Sequence, residues 1–271
     1  MHALDAIFSP QSVAVVGAST TPGKVGHDIF ANILRGGYTG TLYPVNPNAK
    51  SILCVRAYPS VKEIPDRVDL AMLILPPRLA LEAVKEAAES GVKGIVIVSA
   101  GFREVGERGA EIENRIVAVL DFAADRDFGF SKFISIGNKA DVDELDLLRY
   151  LHEDTNTEVI MIYLEELRRG PEFVETVKEI TSGYRRTPVL VIKSGRTVAG
   201  AAAAASHTGA LAGSEAVYDA IFKQTGIIRA ESIHELFDFA SAFAYKEESA
   251  LGKLRRKVPH GTRVAIITHA G

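Results

Sequence analysis

The chain has 271 residues, of which 47% are hydrophobic and 24% charged, and its formal net charge is −3. That composition excludes a disordered chain and lacks the basic excess of a duplex nucleic-acid binder. At about 150 residues per domain, the length points to two domains. The single cysteine, Cys54, excludes an internal disulfide and any multi-cysteine zinc cluster. No run approaches the ~20 apolar residues of a membrane span, and no basic segment followed by an apolar one opens the chain. The cytoplasm is the expected compartment, with neither membrane nor nucleic acid as partner.

Short apolar runs alternate with stretches of helical period, the pattern of a parallel sheet covered on both faces. A strand over 13–16 leads into a glycine-rich loop, with a helix expected from about His27. The second strand, 41–45, ends in Asn46 and Pro47. Strands follow at 70–75 and 94–98. Between them Pro77 suits a first helical turn, Ala80, Ala83, Val84, Ala87 and Ala88 share a face, and Gly91 ends the helix. Ile112, Ile116, Val119 and Ala123 keep helical spacing, so 111–127 reads as one helix.

The second half offers strands at 132–136, 159–164 and 188–192. Ser232 and Glu235 then form a capping box ahead of Leu236, Phe237, Ala240 and Phe243. Lys253-Leu254-Arg255-Arg256-Lys257 reads as a solvated linker, and 263–268 as the strand of a further unit. The expected organisation is a βα array over 1–120, a second over 121–248, and a linker with the start of another unit over 249–271.

The loop after the first strand runs Gly17-Ala18-Ser19-Thr20-Thr21-Pro22-Gly23-Lys24-Val25-Gly26. Glycines between a strand and a helix let backbone N–H groups approach a phosphate, and the helix N-terminus favours its charge. Lys24 adds a cation and Ser19 a hydroxyl. The spacing is not Gly-x-Gly-x-x-Gly, and Asn46 stands where a nicotinamide dinucleotide site would place Asp or Glu. An anionic ligand other than NAD is the expectation.

The sharper signal lies in the second array, where Ala201–Ala205 leads into Ser206-His207-Thr208-Gly209-Ala210-Leu211-Ala212-Gly213. An imidazole between small residues, hydroxyls and a helix N-terminus is placed to carry a phosphoryl group. Gly137-Asn138-Lys139-Ala140-Asp141 follows one strand and Tyr163-Leu164-Glu165 ends the next. His2, His27, His152, His234, His260 and His269 make no metal-like pairs, so no metal is expected on this chain.

Together, Ser12–Ser19, Pro22, Lys24, Gly26 and Tyr43–Pro47 resemble the CoA-binding domain of NDP-forming acyl-CoA synthetases, relatives of the succinyl-CoA synthetase alpha subunit. Ser206–Gly213 resembles the phosphohistidine loop of the same family. The resemblance implies an α/β fold: a Rossmann-like CoA-binding domain followed by a flavodoxin-like, succinyl-CoA synthetase-like parallel-sheet domain. It implies a CoA site at Gly17, Ala18, Ser19, Lys24, Gly26, Val45, Asn46, Pro47, Pro76, Ser99 and Gly101. It further implies a phosphate site at Asn138, Lys139, Ser206, Thr208 and Gly209, with His207 as nucleophile. Glu165 would orient the imidazole, fixing its tautomer through one ring nitrogen, and the adjacent Glu166 stays open as an alternative.

The implied reaction interconverts acyl-CoA, phosphate and ADP with acid, CoA and ATP through acyl phosphate and phosphohistidine. Mg²⁺ and the nucleotide would sit on an ATP-grasp beta subunit or fused domain, making a hetero-oligomer the expectation. The family's Gly-Pro-Asn strand end and Ser-Gln-Ser-Gly turn have no counterpart near Val119 and Leu120. The alternative is therefore a catalytically impaired CoA-binding or scaffold module of the same fold.

Overall fold

The computed structural model describes residues 4–98, 130–136, 139, 141–165, 167, 169–193, 215–244, 246–248 and 254–256. The chain divides into two compact units, Met1–Arg115 and Ile116–Gly271.

In the first unit, α1 (Asp5–Phe8) precedes β1 (Ser12–Val16), and α2 (Val25–Arg35) leads to β2 (Thr41–Val45). A small antiparallel pair, β3 (Ser51–Ile52) and β4 (Val55–Arg56), and a 3-10 turn at Val61–Glu63 come next. Then follow β5 (Leu70–Leu73), α3 (Pro77–Glu89) and β6 (Gly94–Ile97). The strands form a parallel sheet in the order β2-β1-β5-β6. Every residue of β1 is buried, which is why its sequence is apolar without alternation. Its odd and even positions feed opposite layers: Val13 and Val15 pack with Phe30, while Ala14 and Val16 pack with Tyr43, Val45 and Leu73.

The chain passes from β1 to β2 on one side and then crosses to β5 on the other. The strand order therefore reverses beside β1, the place where open α/β sheets bind ligands at their carboxyl ends. At the opposite edge, the Asp69 carboxylate accepts from the Gln11 amide at 2.9 Å and pairs with Lys93 at 2.7 Å, fixing the starts of β1 and β6.

The second unit contains α4 (Glu144–Glu153), β7 (Ile160–Leu164), α5 (Gly170–Ser182), β8 (Val189–Lys193), α6 (Glu215–Thr225), β9 (Ile228–Arg229) and α7 (Ile233–Ala244). Its strands run parallel in the order β7-β8-β9. Leu145, Leu148, Phe173, Val177, Val189, Val191 and Phe222 form one core layer; Leu190, Ala230, Leu236 and Ala240 form another. The helices α4 and α5 are tied at their starts: Asp143 caps α4 through the Leu145 and Asp146 amides, and Arg169 forks onto the same carboxylate at 2.9 and 2.7 Å.

The α/β class, the parallel sheets and most strand positions agree with the sequence reading; four details differ. Residues 132–136 make no strand: Ser131 meets Thr157 at 2.9 Å and Lys132 pairs with Asp154 at 2.6 Å, so side chains rather than a ladder hold this apolar run. The basic run at 253–257 is not simply a linker, because β11 (Leu254–Arg256) pairs antiparallel with β10 (Lys246–Glu248), Glu247 in register with Arg255. Ala88 is exposed, leaving Ala87 as the buried small residue of α3. The strand at 188–192 ends one residue later, on a buried lysine, Lys193. The expected helix over 111–127 and strand over 263–268 lie outside the described residues.

Candidate functional site

The glycine loop is shaped by steric necessity. Gly17 has φ +92°, and a Cβ there would lie 2.2 Å from the Ile74 carbonyl oxygen at the end of β5. A Cβ on Gly26 would lie 2.0 Å from the Gly17 carbonyl oxygen. The loop thus folds back on its own first residue, and only glycine permits either approach. Helix α2 begins at Val25, two residues earlier than expected, with the exposed Lys24 as its N-cap. Its amino end therefore stands inside the loop, where its dipole favours an anion.

Asn46 locks the loop to β2. Its Nδ2 donates to the Ala18 carbonyl at 2.7 Å, and its Oδ1 accepts from the Asn48 amide at 2.8 Å. The Gly17 amide donates to the Val45 carbonyl at 3.0 Å. Ser19 accepts from the Thr21 amide at 3.1 Å, and the Gly23 amide donates to Asp28 at 3.2 Å. Asp28 is held below the usual carboxylate range, chiefly by its hydrogen bond with His27 and by that Gly23 amide, against a desolvation cost.

A cleft of about 360 Å³ opens at the ends of these strands, lined among others by Gly17, Val45, Asn46, Pro47, Asn48, Ser60, Leu79 and Glu82. Ala18, Ser19, Lys24, Gly26 and Pro76 stand beside it in sequence but do not line it, and Ser99 and Gly101 lie outside the described residues. Sequence reasoning missed the opposite wall. There Glu86 of α3 accepts from the Val61 amide at 2.7 Å and the Lys62 amide at 3.3 Å, pinning the 3-10 turn that carries Ser60 to the cleft. Nothing in local spacing links Glu86 to Val61; the contact is tertiary.

In the second unit, charged side chains gather at the carboxyl ends of the strands. Glu165, exposed, directly follows β7, and Leu164 is in register with Lys193, the last residue of β8. Lys193 is 6% exposed and its Nζ lies 4.8 Å from the centre of the Tyr218 ring. The Tyr218 hydroxyl accepts from the Leu167 amide at 3.4 Å, tying α6 to the segment after Glu165. Arg229 at the end of β9 pairs with Glu215 at 2.5 Å and with Asp219. Lys139 has φ +49° and is ion-paired with the buried Glu144 at 3.0 Å, without hydrogen-bond alignment at that oxygen. His207, Asn138, Ser206, Thr208, Gly209 and Glu166 lie outside the described residues. Among the described residues, no group of three or more His, Cys, Asp or Glu could hold a metal ion, and no helix is long and apolar enough to cross a membrane.

A glycine loop at the switch point of one parallel sheet, followed by a second parallel sheet with charged strand ends, is the arrangement of a two-domain α/β protein with an anion-suited site. Residues 11–125 match the model of a CoA binding domain, and residues 113–243 that of a succinyl-CoA ligase like flavodoxin domain. The acetate–CoA ligase [ADP-forming] I subunit alpha of Pyrococcus furiosus is 36% identical, the alignment covering 99% of this chain and 67% of the relative. The 4-hydroxybutyrate–CoA ligase [ADP-forming] of Nitrosopumilus maritimus is 34% identical over 98% of this chain and 44% of its own length. The dinucleotide-forming acetyl-coenzyme A synthetase 1 of Ca. Korarchaeum cryptofilum, solved with phosphate and ADP, superposes with TM-score 0.79 at 34% identity, covering 91% of this chain and 63% of that one.

The chain belongs to the family of ADP-forming acetate–CoA ligase alpha subunits. It spans about two thirds of the P. furiosus alpha subunit and less than half of the N. maritimus ligase. The P. furiosus alignment runs over 322 positions against 271 residues here, so at least 51 positions of the relative face no residue of this chain.

Proposed function

We propose that this chain is the alpha-like part of an NDP-forming acyl-CoA synthetase, with a CoA domain over 1–120, a phosphohistidine domain over 121–248, and a linker with the start of a further unit over 249–271. The cleft at Gly17, Val45, Asn46 and Pro47 holds CoA, its phosphates against the loop and the amino end of α2, with Lys24 as cation. The residues suit an anionic ligand: two glycines admit the backbone where side chains would block it, and the cleft opens at the switch point.

In the first half-reaction, a phosphate oxygen attacks the thioester carbonyl, the C–S bond breaks, and the CoA thiolate leaves with acyl phosphate formed. A ring nitrogen of His207 then attacks phosphorus, the P–O bond to the acyl group breaks, and the carboxylate departs. Glu165 accepts a hydrogen bond from the other ring nitrogen, presenting the attacking nitrogen unprotonated. Asn138, Lys139, Ser206, Thr208 and Gly209 surround the transferred group. The second half-reaction passes the phosphoryl group to ADP on an ATP-grasp beta subunit or fused domain. When bound there, Mg²⁺ supplies neutralisation of the nucleotide's phosphate charge. The whole assembly works in the cytoplasm.

The observation that supports this reading is the register of Leu164 with Lys193, which brings Glu165 and the last residue before segment 194–214, the segment bearing His207, to the carboxyl ends of neighbouring strands. The test is incubation with a panel of short and aromatic acyl-CoAs plus [³²P]phosphate, with His207→Ala as comparison. Acid-labile label on the parent alone supports the synthetase reading. CoA binding without label from any acyl-CoA would instead identify a binding or scaffold module, the outcome that the 51 unmatched positions make worth testing.

A further inference from the structure

We infer that Glu86 is a positioning residue for the CoA cleft: by capping the Val61–Glu63 turn from a separate helix, it leaves the Ser60 hydroxyl to the ligand. The inference rests on the reading of this cleft as a CoA site and adds two residues to it.

A short helical turn begins with backbone N–H groups that have no partner inside it, and a serine just before it usually accepts from one of them. Ser60 holds that position with extended backbone, φ −146° and ψ 166°, yet its side chain makes no cap bond. Glu86 of α3 does the capping instead, accepting through Oε1 from the Val61 amide at 2.7 Å and the Lys62 amide at 3.3 Å. An ionised acceptor outbids a hydroxyl for these donors. Ser60 therefore lines the cleft without its hydroxyl being spent on the turn.

The segment is held from two sides. Before the turn, the Asn46 amide donates to the Tyr58 carbonyl and the Tyr58 amide to the Pro44 carbonyl, both at 2.9 Å, which hangs it on the end of β2. At the turn, the buried Val61 shares a core layer with Ala83, Val84 and Ala87 of α3. Apolar packing is non-directional and fixes only where Val61 sits; the bonds to Glu86 fix how the turn, and Ser60 at its start, is oriented. A further tie, Lys62 to Glu89 at 2.7 Å, joins side chains 54% and 65% exposed and contributes little.

The same arrangement suits an anionic ligand. Glu82 and Glu86 both line the cleft from α3, where bare carboxylates would repel phosphate. Glu82 is paired with Lys85 at 3.0 Å, and the Glu86 charge is directed at two backbone donors. What this wall offers the ligand is the hydroxyl.

The experiment is calorimetric titration of the full chain with CoA, each variant first shown to be folded by circular dichroism. Glu86→Ala should bind CoA about tenfold more weakly, because the orphaned Lys62 amide recruits the Ser60 hydroxyl as an ordinary cap. Glu86→Gln keeps the acceptor and should recover most of the affinity. Ser60→Ala should weaken binding by a similar factor, and Ser60→Ala/Glu86→Ala should be no weaker than Glu86→Ala, because the glutamate acts through the serine. Wild-type affinity in Glu86→Ala, an equal loss in Glu86→Gln, or losses that multiply in the double variant each overturn the inference while leaving the CoA reading standing. Should Glu86→Ala fail to fold, Glu86→Asp decides. Its carboxylate falls short of the turn, so a loss of about tenfold supports the inference and wild-type affinity overturns it. A parent that binds no CoA removes the CoA reading, and the inference with it.

Discussion

Gly26 approaches Gly17 so closely that a single added carbon at position 26 would sit 2.0 Å from the Gly17 carbonyl oxygen. That carbonyl belongs to backbone, and the Gly17 amide is already bonded to Val45, so neither side can retreat cheaply. Gly26→Ala should destabilise the first unit by about 1–3 kcal/mol and weaken CoA binding by roughly tenfold or more. Calorimetric titration with CoA beside a thermal melt checks both. Wild-type affinity in a folded Gly26→Ala would show that the loop does not form the CoA cradle.

Asn46 offers a second test of the same cleft. Its amide group donates to the Ala18 carbonyl and accepts from the Asn48 amide, which requires both ends of a carboxamide. In Asn46→Asp the acceptor remains but the donor becomes an anion facing the Ala18 carbonyl, at the site proposed to hold phosphate. CoA affinity should fall at least about tenfold, with no gain in NAD affinity. A dinucleotide site would respond in the opposite sense, because the new carboxylate would suit ribose hydroxyls; equilibrium binding of both ligands separates the cases.

The strands were legible where burial on both faces leaves an uninterrupted apolar run, as in β1 and most of β8. Residues 132–136 carry the same kind of run without becoming a strand, since pairing depends on a neighbour that local sequence does not specify. Lys193 shows the converse: composition argues against a lysine in a buried strand, yet the Tyr218 ring and nearby carboxylates, from distant sequence, make the position tenable. Gly17 and Gly26 announced a tight loop, but the reason for Gly17 is the Ile74 carbonyl, far along the chain. Ser232 and Glu235 illustrate a local rule that held in modified form. The Glu235 amide bonds Ser232 at 3.1 Å as a capping box requires, while its carboxylate reaches past the cap to the Glu231 amide at 2.6 Å.

His152 makes stability depend on pH. Its Nδ1 meets the Thr187 hydroxyl at 2.9 Å, and burial, helped by the Arg185 charge and opposed by Glu153, lowers its pKa below the ordinary 6.5. The folded state thus takes up its proton at lower pH than the unfolded state. This group's stabilising contribution is complete above about pH 6.5, declines as the pH falls below that value, and levels off below the folded-state pKa. Between about pH 7.5 and about pH 5.5 the parent should therefore lose more melting temperature than His152→Gln, which cannot titrate. Parallel pH profiles of the two proteins would show the half-buried histidine to be inert.

Arg229 anchors the helix to which the histidine segment returns. Its side chain is 13% exposed, and the guanidinium spans Glu215, the first residue of α6, and Asp219 one turn on. Those carboxylates are 41% and 60% exposed, so they regain water when the arginine is removed, and the penalty stays below that of a fully buried pair. Glu215 also stands at a helix N-terminus, where a carboxylate is favourable without a partner. Arg229→Met keeps the buried stem and removes the fork; it should cost about 1–2 kcal/mol in urea denaturation. A double-mutant cycle with Glu215→Gln should return a coupling of about 0.5–1 kcal/mol. If the two losses simply add, the Arg229–Glu215 contact does not stabilise α6, and the return end of segment 194–214 must be held by other groups.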